Sequence, residues 1–452
     1  MDYGFVSRST AIPKRIKSNT QSNGHSEFSH CPFSYRCFGL FIHIRSDGSQ
    51  FIFEKNTGLP VAVIIALFCL KVFAGTLNLY IHFYEFVSND IGFFYWQAFN
   101  ELKEMRHDPR HFFYEWLFNW GDLRDGFNFA SPRCNVFWKD LGVLIHTKYM
   151  TLATIISYGH QYVNVVIYNL PFFIGQLLLY KAFYRQQPEK KWLFVTVIFL
   201  VPSVLFWCSG IHKDGWVLTA FGLIFYSLSH WIRYRNGKYL LALTGGLFLL
   251  FIVRYFYFIA LLPLLILWIF STNRKYVPAY YAVALLISAI LFFNMHRVLP
   301  AVNPMKMVQS RQTEFLGLIG YSDMKTPRLE NNFTSYVQHF PTALNHVFLR
   351  PSFKWSDPLK YQISAIDNYL VLLLLISLLI FVKQKNCRNS LLLSSFLFAF
   401  SMYLFIGYTI PNCGALVRYK SEFTVLLLAA AVGLSEFPSL YRKLNSRLPG
   451  SE

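Results

Sequence analysis

Uncharged apolar runs recur along this chain, and they leave it few folds. Trp192 to Trp207 contains no Lys, Arg, Asp or Glu, and neither does Trp216 to Ile232. A helix of roughly 17–25 apolar residues crosses the bilayer core. Inside that core every backbone polar group must be paired within its own segment. The runs therefore predict an all-α fold, a polytopic transmembrane helical bundle of about ten spans.

Composition agrees. The 452 residues are 54% hydrophobic and only 14% charged, where a soluble domain carries about a quarter. The formal net charge of +19 would suggest nucleic acid on a soluble chain. Here Lys and Arg gather at the ends of spans, as the positive-inside rule requires. The expected partner is membrane lipid, with no nucleic acid. The seven cysteines form no CxxC pair and no Cys/His cluster, so no metal site follows from spacing. Cys134, Cys208 and Cys413 fall on one side of the topology, which leaves a disulfide among them open.

The chain divides in three. Residues 1–58 form a basic polar N-terminal tail without the apolar core of a signal peptide, expected to be disordered. It reads equally as upstream sequence foreign to the protein. Residues 59–437 hold the spans, and residues 438–452 form a cytoplasmic tail. Basic loops at Arg185–Lys191, Arg233–Lys238, Arg274–Lys275 and Lys383–Arg388 place both termini inside. Two long loops, 84–148 and 297–361, then lie on the non-cytoplasmic face and are expected to contain short helices. The first holds nine of the 23 acidic residues, and its stretch Ile91–Met105 suits a helix on the membrane surface. Trp192–Trp207 reads as a span running outward. Leu240–Phe270 is too long for one span and reads as two, broken at Arg254.

The scarce ionisable groups near the spans fall on that same outer face. A polar knot, Ser209-Gly-Ile-His-Lys-Asp214, separates two apolar runs. Asp90 follows the first span, Arg254 interrupts about thirty apolar residues, and Arg418-Tyr419-Lys420 stands outside against the positive-inside trend. Ionisable groups at membrane depth need partners and mark function by default. A carboxylate such as Asp90 or Asp214 can serve as general base on a hydroxyl. His212, Lys213, Arg254, Arg418, Tyr419 and Lys420 could hold an anionic substrate, arginine through its bidentate fork. Plainer readings stand beside these. Asp90 could be solvated, Asp214 could cap the following helix, Lys213 could snorkel, and Arg418 and Lys420 could anchor a boundary. Asn332-Phe-Thr334 is a glycosylation sequon, of use only in a eukaryotic secretory context.

Three of these places resemble a known family. Ser88-Asn-Asp90-Ile-Gly-Phe-Phe-Tyr95 matches the acidic residue that GT-C glycosyltransferases place in the first outer loop. Pro202-Ser203, Phe206-Trp207 and Lys213-Asp214 are similar to a pattern where an outward span of that superfamily turns back. Arg418-Tyr419 looks like the Arg-Tyr of many bacterial members near the last outer loop. The superfamily includes protein O-mannosyltransferases and GPI mannosyltransferases. The resemblance implies transfer of a sugar from a polyprenyl-phosphate donor to a hydroxyl of a glycan or protein acceptor, with inversion and a lipid-phosphate leaving group. It implies a multi-pass protein of a bacterial inner membrane, serving cell-envelope polysaccharide. Asp90 would be the base, and Arg254, Lys213 or Arg418 would hold the phosphate. Asp90 belongs to no Asp-Asp or Asp-Glu pair, so dependence on a divalent metal ion stays open. Rival readings are an O-antigen polymerase-like or ligase-like enzyme using polyprenyl-diphosphate glycans, a lipid or solute transporter, and a membrane protein without catalysis. No inverted repeat is visible, which weighs against the transporter.

Overall fold

The computed structural model describes residues 57–84, 90–118, 132–299, 302–318 and 322–436. Most of the N-terminal tail, three of the nine acidic residues of the first long loop (Glu85, Asp122 and Asp125) and the C-terminal tail lie outside them. The described residues are mostly helical, with no strand among them. Seven helices are long and apolar enough to cross a membrane, the make-up of an integral membrane protein.

The helices are α1 Val61–Tyr84, α2 Asp90–His107, α3 Pro109–Phe118, α4 Pro132–Ile156, α5 Gln161–Tyr184, α6 Lys191–Val195, α7 Pro202–Trp207 and α8 Lys213–Tyr234. They continue with α9 Gly237–Ser271, α10 Val277–Val298, α11 Pro304–Leu316, α12 Phe333–Leu349, α13 Leu359–Ile380, α14 Ser390–Thr409 and α15 Cys413–Leu434. Several starts are set by asparagine caps. Asn389 accepts from Leu391 N at 3.0 Å, Asn412 from Ala415 N at 3.1 Å and Asn332 from Ser335 N at 2.7 Å. Such caps satisfy amides that the first turn leaves free.

Helix α15 is the core. Every residue from Lys420 to Leu434 is buried, and Phe221, Phe398 and Tyr257 pack edge-on or tilted around Phe423. Helix α10 is its opposite. Val283, Leu286, Ile287 and Ile290 all stand exposed, as residues facing lipid tails do.

Two expectations need revision. Trp192–Trp207 is not one continuous helix. A π-helical turn, Thr196–Leu200, follows α6, and the backbone opens to ψ 120° at Val201 before Pro202. Proline cannot donate to the preceding turn and pushes the residue before it out of the helical region. Cys208 and Cys413 are free thiols, so no disulfide joins these two.

The long helix α9 doubles back at Arg254, whose backbone is non-helical at φ −151°, ψ 75°. A straight helix would set residues 246 and 268 roughly 33 Å apart at about 1.5 Å per residue. Yet a Cβ on Gly246 would stand 3.0 Å from Ile224 Cγ1, and the Trp268 ring packs 5.9 Å from that of Phe225, the next residue of α8. Arg254 is therefore the apex of a helical hairpin, and its tip meets the start of α8 at Asp214.

Contacts sort the remaining helix ends into two sets. At one end Gln187 bonds Gly433 O (2.8 Å), Lys190 bonds Val432 O (2.9 Å), and Asn389 bonds Gln186 (3.2 Å). Ser271 meets Ser390 (2.8 Å) and Lys383 N bonds Leu434 O (3.1 Å) at the same end. The short basic loops gather there. At the other end stand Asp90, His212, Asp214, Arg254 and Arg418.

Candidate functional site

Arg418 organises that second end. Its Nε donates to Asp214 Oδ2 at 2.7 Å, and one terminal nitrogen donates to Asp90 Oδ2 at 2.8 Å. The other terminal nitrogen donates to His212 Nδ1 at 3.4 Å. A planar guanidinium with its fork of donors suits three partners from three directions, which a lysine could not match. Arg254 reaches the second oxygen of Asp214 at 3.4 Å and lies 4.9 Å from the Tyr419 ring. Its Nε is buried with no acceptor among the described residues.

The local folding explains the convergence. His212, not Asp214, occupies the cap position of α8, and its side chain makes no capping bond. Asp214 sits in the first turn, where the helix dipole favours an anion, and its oxygens are taken by the two arginines. The knot before it is pinned from below. Lys71, fully buried in α1, donates to Cys208 O at 2.8 Å and to Ser209 Oγ at 3.2 Å, and Asn169 donates to Ser209 O at 2.8 Å. A Cβ on Gly75 would fall 2.3 Å from Ser209 O, so only a glycine admits this approach of knot to α1.

Asp90, His212, Asp214, Arg254 and Arg418 thus come together, with Tyr419 against Arg254. Lys213 lies at the rim. Its ammonium is 5.9 Å from the Phe94 ring, and α4 passes it at Gly142, where a Cβ would stand 3.6 Å from Nζ. Lys420 points elsewhere. It donates to Val347 O (3.3 Å), to Arg350 O (3.2 Å) and to Asn368 Oδ1, tying the end of α12 to α15. Its grouping with Arg418 is corrected by helix geometry, since residues two apart point to opposite faces. Asn332 is engaged as a cap and donates to Glu330 at 2.8 Å.

Other residues of the site carry no sequence motif. Glu422 is fully buried one turn beyond Arg418, and neither of its carboxyl oxygens has a hydrogen-bond partner among the described residues. His82 lies 4.8 Å from His212, ring to ring. Burial pushes the His146 imidazole down to about 3 and the His212 imidazole well below its ordinary 6.5, with Arg418 adding to the latter. Both rings are neutral. Among the described residues no three His, Cys, Asp or Glu side chains are grouped to hold a metal ion.

Compared with protein-family models, with curated proteins and with solved structures, the chain matches none.

Proposed function

We propose that this protein is a membrane glycosyltransferase of the GT-C type, moving a sugar from a polyprenyl-phosphate donor to an acceptor hydroxyl. In this reading about ten segments cross the bilayer, counting the broken α6–α7 and both arms of α9. The basic loops and both termini face the cytoplasm, and the ionic cluster opens on the far side.

The observation that carries it is the division of labour between two aspartates. The Asp90 side chain is 54% exposed while that of Asp214 is fully buried. Asp90 is the group an acceptor hydroxyl can reach. It takes the hydroxyl proton as the oxygen attacks the anomeric carbon. The bond from that carbon to the phosphate oxygen breaks, and the electron pair leaves with the lipid phosphate. Cations already in place where that charge develops lower the barrier without reorganising. Each nitrogen of Arg418 already bonds a protein group, so the phosphate falls to Arg254, with its spare Nε, and to Lys213. Asp214 is a positioning residue that fixes both arginines.

A second reading is an enzyme acting on polyprenyl-diphosphate glycans, favoured by two arginines and a lysine at one spot. Mass spectrometry of lipid-linked glycans in cells lacking the protein separates the two. Accumulation of a polyprenyl-phosphate monosaccharide is expected. Accumulation of a diphosphate-linked oligosaccharide favours the second, and unchanged pools contradict both.

A further inference from the structure

Five buried polar atoms beside the cluster have no partner among the described residues. They are Nδ2 and Oδ1 of Asn78, both ring nitrogens of His146, and Nε2 of His212. Asn78 and His212 are wholly buried and His146 nearly so. Leaving a buried polar group unmet is destabilising, so native proteins satisfy such groups with protein, water or ligand.

These atoms share one neighbourhood. A Cβ on Gly210 would lie 2.3 Å from Asn78 Oδ1 and 2.8 Å from the His212 ring. His146 approaches the same knot through Phe94. The Phe94 ring lies 4.5 Å from His146 and also faces Lys213. Trp207 flanks His212 at 6.1 Å and is partly open.

The wall they form is uncharged. Arg418 donates to His212 Nδ1, so the proton of that neutral ring sits on Nε2, a donor awaiting an acceptor. His146 offers one donor and one acceptor, and the Asn78 amide offers both. The charges that flank this wall, Arg418 and Lys213, belong to the ionic cluster. Hydroxyl groups, each a donor and an acceptor, match it, and Trp207 supplies an apolar face for ring C–H groups.

We propose that Asn78, His146 and His212 line a subsite for the hydroxyls of a sugar ring, adjoining the Lys213–Arg254 pair. This rests on the lipid-phosphate donor described above and divides that donor between two walls: phosphate on the cations, sugar on the neutral imidazoles and amide.

The test is equilibrium binding to the full chain in lipid nanodiscs. The probes are polyprenyl phosphate and the same lipid bearing mannose, glucose, galactose or N-acetylglucosamine. At least one sugar-bearing lipid should bind about tenfold or more tighter than the bare lipid, the effect of ~1.4 kcal/mol. His146→Phe and Asn78→Leu should abolish that increment and leave bare-lipid affinity unchanged, while His146→Gln, which still hydrogen-bonds, should retain part of it. Equal binding of all lipids by the wild type, a comparison needing no variant, overturns the subsite and leaves the phosphate reading standing. A sugar increment that survives both apolar variants, or that falls together with bare-lipid affinity, also overturns it. Binding of none of the lipids refutes the donor reading and the subsite with it.

Discussion

Arg418 and Asp214 meet at 2.7 Å although 204 residues separate them in the chain. The bond joins the start of α8 to the start of α15, and through Asp90 it also reaches α2. Its energetic weight follows from burial. Asp214 has no access to water, so its charge depends on the guanidiniums around it.

Removing one partner of a buried ion pair strands the other charge, at about 3–5 kcal/mol. Arg418→Ala should therefore lower the thermal midpoint steeply. Asp90→Ala deletes a half-exposed partner of the same arginine and should cost about 0–1 kcal/mol. Differential scanning of the two purified variants checks the contrast. Equal losses would mean that Asp214 does not rely on Arg418.

The pH dependence has a definite sign. His146 titrates at about 3 in the folded protein, below the ordinary 6.5, and His212 is lowered as well. Between those limits the unfolded chain binds more protons than the folded one, so stability rises with pH. Stability should fall as pH drops below 6.5, by up to roughly 1.4 kcal/mol per unit for each ring. His146→Phe should flatten the slope by about one proton. An unchanged slope in that variant would contradict the assignment.

Much of this site is legible in the sequence because charge is scarce where lipid is near. Asp90, Asp214, Arg254 and Arg418 stand out for that reason, and Arg254 marks the hairpin apex for the same one. Lys420 is misgrouped by simple adjacency, and the helical period that excludes it also points to Glu422, four residues from Arg418. Lys71, a charge within the first span, carries the same signal and goes unused in the sequence reading, whereas Asn78 and His146 give none. Each is a single polar residue in an apolar or mixed run, and only the packing of α1 and α4 against the knot reveals its place. The break at Val201 is written in Pro202, but an apolar run of that length outweighs one proline when read as a span.

Helix packing offers a further check. A Cβ on Gly222 would lie 1.9 Å from Gly175 O, whereas nothing stands within 4 Å of one on Gly245. Gly222→Ala must push α5 and α8 apart, at about 1–3 kcal/mol. Gly245→Ala should be neutral or stabilising by up to about 1 kcal/mol. Thermal unfolding of the two variants in one detergent gives the comparison, and a tolerated Gly222→Ala would refute the close crossing.

Removal of the exposed base tests the proposed chemistry apart from the fold. Asp90→Asn should leave the midpoint near wild type and reduce sugar transfer by about 100-fold or more, the scale of a lost general base. Transfer from radiolabelled polyprenyl-phosphate sugars in proteoliposomes is the readout. Full activity in Asp90→Asn would remove Asp90 from the reaction.

The most direct test of the whole account is side-specific labelling of single cysteines in a cysteine-free background. Positions 90 and 325 should react with an impermeant maleimide from one side of the membrane, and positions 186, 275 and 385 from the other. Reaction of 90 and 325 from opposite sides, or of either together with 186, would show that the two long loops do not share a face, and the sidedness on which the proposed site rests would be contradicted.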